Sequence, residues 1–137
     1  MKNLFIVTAL FLIANIAIGQ SFQKDGILSI HTLTLTPKEG VKMKSLTNFM
    51  EQKLVPAWEK ELNCEIHLLK GFNRDIKNKF GMVWYYKSKK TFNKFWNDDG
   101  SPTEKGRVAI KNLSAISKEG NLLGTSKREA MNDWIVQ

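Results

Sequence analysis

The run Phe80-Gly-Met-Val-Trp-Tyr-Tyr-Lys87 carries large side chains on both of its alternating faces. Strand geometry puts Phe80, Met82, Trp84 and Tyr86 on one side and Val83 and Tyr85 on the other. Leaving either side in water would expose a sizeable aromatic patch, which soluble monomers rarely tolerate. The sheet that holds this strand must therefore be covered twice. Helices supply one cover; a second subunit packed sheet to sheet, or the C-terminal segment folded across the face, supplies the other.

Ile27 to Thr36 is rich in β-branched residues and stops at Pro37, which predicts a strand with Leu28, Ile30, Thr32 and Thr34 on one face and Ser29, His31, Leu33 and Leu35 on the other. From Lys42 to Asn63, Leu46, Phe49, Met50, Leu54, Ala57, Trp58 and Leu62 recur in steps of three and four, the stripe of an amphipathic helix. Pro56 falls inside that stripe and predicts a kink or break. Cys64 to Lys70 alternates as a second strand, with Ile66 and Leu68 opposite His67 and Leu69. Ser88 caps a short helix bearing Phe92, Phe95 and Trp96, and Asn97-Asp-Asp-Gly100 stops it. Ser101-Pro102 opens another helix, with Val108, Ala109, Leu113 and Ile116 facing inward. Ser117 to Arg128 reads as loop, and Met131 to Gln137 as a closing strand.

At the front, Met-Lys-Asn leads into an apolar run from Leu4 to Ala14, followed by small residues at Ala17 and Gly19. A basic start, a short apolar core and small residues at the junction are the parts of a secretory signal peptide, here Met1 to Gly19. The run is too short to span a membrane as a retained anchor. The expected mature chain, 20–137, is a single exported domain, periplasmic or secreted, with no stable membrane anchor after cleavage. Cys64 is the only cysteine, so no internal disulfide can staple it. That thiol either pairs between chains or serves as a small buried hydrophobe.

Strand, helix, strand, strand, helix, strand is the α+β ferredoxin-like split βαββαβ plan, an antiparallel sheet with helices on one face. At Ile30-His-Thr-Leu-Thr-Leu35, at Phe49-Met-Glu-Gln-Lys-Leu-Val-Pro-Ala-Trp58 and at Trp84-Tyr-Tyr-Lys-Ser88 running into a Phe-rich helix, the chain resembles the dimeric α/β-barrel superfamily, the group of antibiotic-biosynthesis-type monooxygenases and stress-responsive barrel proteins. That resemblance implies a homodimer with an apolar pocket between sheet and helices, suited to a small apolar or aromatic ligand. It also implies two functions to weigh: a binding or accessory protein without chemistry of its own, or a cofactor-independent monooxygenase or haem-processing enzyme. The split second helix and the long tail from Ser117 depart from its simplest members.

The candidate catalytic residues are His31 and His67, the only two histidines. Facing one cavity, they would form a proton-transfer pair or supply a haem ligand. The alternative is a strand histidine bonded to a neighbouring hydroxyl or carbonyl. Trp84, Tyr85 and Tyr86 are the candidate ligand-binding wall, or else ordinary core. Trp58, Phe92, Phe95 and Trp96 read as core.

Lys70, Arg74, Lys77 and Lys79, with Lys87, Lys89, Lys90 and Lys94, give the chain much of its net charge of +8 and are expected to collect at one end of the sheet as a solvated face. No nucleic-acid motif accompanies them. Nucleotide-loop, serine-hydrolase, zinc-protease and dithiol signatures are all missing. Asp98-Asp-Gly-Ser101 lacks the further oxygens a calcium loop needs, so neither a metal nor a cofactor is expected.

Overall fold

The computed structural model describes residues 22–71 and 79–137; the leader, Arg74 and Lys77 lie outside them. Its elements are β1 (Ile27–Pro37), α1 (Met43–Phe49), a π-helical turn (Met50–Leu54), α2 (Val55–Leu62), β2 (Glu65–Lys70), β3 (Phe80–Tyr86), α3 (Lys89–Phe92), α4 (Glu104–Asn112), α5 (Ser114–Leu123) and β4 (Gly124–Ile135). The sheet runs β2-β3-β1-β4 with every neighbour antiparallel, the ferredoxin-like order. The helices lie against one face. No described helix is long and apolar enough to cross a membrane.

Pro56 does not break its helix. The backbone stays right-handed helical at Phe49, Met50, Leu54 and Val55, so α1, the π turn and α2 follow one another without interruption. Proline ordinarily crowds the carbonyl four residues back, here that of Gln52. The widened turn, in which the Val55 N–H donates to the Met50 carbonyl five residues back, makes room for it. The extra residue also swings Val55, which is not part of the apolar stripe, into the core. Asn63 ends α2 in the left-handed conformation that asparagine tolerates, and the Glu59 side chain accepts the Ile66 N–H at 2.8 Å where β2 begins.

Further expectations are corrected. The stretch from Ser117 is not loop: α5 runs to Leu123, and β4 starts at once at Gly124. The helix after Gly100 begins at Glu104 with Thr103 as its cap, because Pro102 is engaged in a β-bridge with Trp96. Ala109 and Leu113 are buried as expected, but Val108 is half exposed. Nor do the lysines gather at one end. Lys70 and Lys79 lie at one end of β3, while Lys87 to Lys94 follow the other, a strand length of roughly 20 Å away.

β3 is buried on both faces at Tyr85. The C-terminal segment does not cross the sheet there; it forms the edge strand beside β1. The cover over Tyr85 is N-terminal: the Phe22 ring centroid lies 5.0 Å from that of Tyr85, and the Gln23 N–H donates to the Tyr85 hydroxyl at 2.7 Å. Elsewhere on this face Ile30, Leu69 and Trp134 stay exposed.

Cys64 is a free thiol, buried immediately before β2. Burial pushes it up to about 12, against a smaller opposing effect of its hydrogen bond with Tyr86. The thiolate is the reactive form, so alkylation of native Cys64 at neutral pH should run about a thousandfold slower than that of an unhindered thiol. Mass-spectrometric timing of iodoacetamide labelling, with and without denaturant, checks this. Rapid labelling of the native protein would show that the site opens.

Candidate functional site

On its helix side β1 presents Ser29, His31, Leu33 and Leu35, and β3 presents Met82, Trp84 and Tyr86. The helices do not close down fully over these residues. A cavity of about 540 Å³ remains between the sheet, the α1–α2 helix and α5, within the range of small-molecule sites. Its roof includes Phe49, Met50 and Leu54. α5 approaches so closely that a Cβ on Gly120 would sit 2.8 Å from the Phe49 ring. Trp58 reaches in from α2, its ring 4.7 Å from that of Trp84, and Trp96 and Phe92 line the same end near Tyr86.

The polar groups are few. His31 Nε2 lies 3.0 Å from the Ser29 hydroxyl, and its ring is 5.5 Å from Trp84. Burial, and after it the positive charge of Arg128, hold the His31 imidazole below its ordinary value, while Asp133 opposes them. The ring is therefore neutral at physiological pH and able to accept a proton. The Tyr86 hydroxyl accepts the Trp96 indole N–H at 2.8 Å, and desolvation raises it well above the usual phenol range. The indole nitrogens of Trp58 and Trp84 are both sealed from solvent with no hydrogen-bond partner among the described residues. Leaving such a donor unpaired costs about 1–3 kcal/mol.

The sheet register divides the sequence candidates. His31, Trp84 and Tyr86 come together in the cavity wall. His67 pairs with Val83, one position from Trp84, and so projects exposed from the opposite face; the two histidines do not share a cavity. Tyr85 is on that opposite face as well. The His31–Ser29 contact is the neighbouring-hydroxyl bond of the alternative reading. Of the four aromatics assigned to core, only Phe95 is fully buried; Trp58, Phe92 and Trp96 line the cavity. Sequence reasoning missed Ser29, Arg128 and Asp133 as lining residues. Arg128 ends the segment read as loop, and Asp133 lies in the segment read as the closing strand. Among the described residues, no three of His, Cys, Asp and Glu gather into a metal-binding group.

No protein-family model matches the chain, and no curated protein matches its sequence. Among solved structures it is similar to SnoaB, a cofactor-independent oxygenase from Streptomyces nogalater, with a TM-score of 0.48 and 11% identity over 82% of this chain and 94% of that one. It is also similar to a conserved protein of unknown function from Bacteroides thetaiotaomicron, a possible oxidoreductase, with a TM-score of 0.39 and 10% identity over 82% of this chain and 99% of the other. At these scores neither likeness bears on activity, and the functional reading rests on the cavity.

Proposed function

We propose that this is an exported, homodimeric binding protein whose cavity takes a small apolar or aromatic ligand. The observation that carries the reading is the cavity itself: about 540 Å³, walled by Trp58, Trp84, Tyr86 and Trp96, with His31 and Ser29 hydrogen-bonded to each other on its sheet wall. Aromatic walls with a few polar tips hold and orient planar molecules. A ligand oxygen that drew the Trp58 or Trp84 N–H onto itself would also relieve an unpaired donor, which a plain hydrocarbon cannot do. Export rests on the leader pattern. The dimer rests on the exposed apolar residues of the far sheet face.

A cofactor-independent oxygenase is the second reading, favoured by one observation: a neutral imidazole held against Trp84 in the cavity wall. Native mass spectrometry on protein purified from the exported fraction, without added ligand, tests both. Two mature chains with a small molecule that is released on denaturation are expected. An unchanged molecule after incubation in air supports binding, whereas a gain of one oxygen atom in the released species selects the oxygenase. An empty single chain would overturn the proposal.

A further inference from the structure

Resting on the binding reading above, we infer that the ligand carries an anionic group and that Arg128 is the residue that selects it. The inference comes from an irregularity in β4. Between Thr32 and Leu33 the pairing with β4 shifts: Thr32 faces Ala130, but Leu33 faces Arg128, so Glu129 has no partner position. Asp133 and Met131 lie on the cavity side, opposite Ser29 and His31. Regular alternation would place Glu129 there next and turn Arg128 to the far face. The bulge reverses both. Arg128 joins the cavity lining, and Glu129 turns to the far face, where it bonds Thr34 and forms an ion pair with Lys79. One inserted residue thus exchanges a carboxylate for a guanidinium at the cavity, the re-aiming that bulges bring about beside functional sites.

The guanidinium so placed is uncommitted. Among the described residues Arg128 has no carboxylate partner; its one side-chain hydrogen bond goes to the Met131 sulfur at 3.4 Å, and a thioether is a weak acceptor. Arg107, by contrast, is occupied by the Glu104 carboxylate and the Pro102 carbonyl. A planar fork of free donors at the edge of an aromatic cavity suits a carboxylate or phenolate. The net charge of +8 draws an anion toward it. Asp133 also lines the cavity, but on the far side of His31, level with Ser29 and Trp84. Its charge therefore fixes the orientation: rings toward Trp58 and Trp84, the anionic group toward Arg128.

The test titrates the mature protein at neutral pH with 2-naphthoic acid and with its uncharged methyl ester, following tryptophan fluorescence. The wild type should bind the acid about tenfold more tightly than the ester, the step expected of one charge-assisted pair. Arg128→Gln should abolish that preference by weakening the acid alone, Arg128→Lys should retain part of it, and Asp133→Asn should leave the acid at least as tight. Equal binding of acid and ester by the wild type, or a preference that survives Arg128→Gln, would overturn the inference while leaving the cavity reading intact. Binding of neither compound counts against both.

Discussion

Gly106→Ala lowers the stability of this protein by about 3 kcal/mol, although the same change at most helical glycines is favourable by roughly 0.5–1 kcal/mol. Gly106 lies in the first turn of α4, where its N–H is capped by the Thr103 hydroxyl at 3.1 Å. A Cβ there would stand 2.1 Å from the Phe95 carbonyl oxygen and 3.2 Å from Pro102 Cβ. The carbonyl cannot retreat, because Phe95 is buried and its oxygen already accepts the Thr103 N–H at 2.9 Å. α4 must lift instead, loosening Leu113 and the aromatic end of the cavity with it. Thermal unfolding by circular dichroism should show a midpoint lower by on the order of 10 °C. An unchanged or raised midpoint would mean that α4 is not seated on the Phe95 turn.

That contact could not be read from the sequence, where Gly106 looks like a helix weakener, because it depends on where two elements meet. What the sequence does show is periodicity under burial. β3 and β1 were legible to within about a residue, since β3 packs a continuous row of apolar side chains and β1 is rich in β-branched residues and ends at a proline. α5 was missed for the opposite reason. It roofs a cavity, so Ser117 and Asn121 line it where a core helix would carry leucines, and Gly120 lies too close to Phe49 to carry any side chain. β4 was read only in its second half, from Met131, because past its first residue it is exposed along its whole length, and an edge strand with no buried face shows no alternation. The cavity itself was only half legible. His31, Trp84 and Tyr86 stood out by residue type, but the separation of His67 from His31 depends on the β2–β3 register, and the role of Arg128 on a bulge that composition does not mark. Pro56 likewise gave a true local signal, crowding of the helix, which the fold answers with a wide turn in place of a break.

Ile30→Asp should convert a dimer into a well-folded monomer. On the face away from the helices, Ile30 lies at the centre of the sheet between Val83 and Asn132, and 40% of its surface is exposed. Around it Leu28, Thr32, Gly81 and Ala130 carry no charge, and Leu69 and Trp134 extend the apolar surface outward. The charged groups of this face stand off its centre: Glu65 with Lys87 toward one end, Lys79 with Glu129, and Lys127 opposite Thr34, toward the other. An uncharged centre with a polar margin is the anatomy of an interface, and a second copy related by a two-fold axis presents the same arrangement in return. In the proposed dimer the substitution would bury an unpaired carboxylate from each subunit. At about 3 kcal/mol apiece, the pair weakens association roughly ten-thousand-fold. Light scattering across a concentration series should therefore find the wild type as two chains and the variant as one. The variant should keep its secondary structure, because the Ile30 side chain is not part of the helix-side core. A wild type that remains monomeric at high concentration, or a variant that still pairs, would assign the cover of this face to something other than a second copy of the chain.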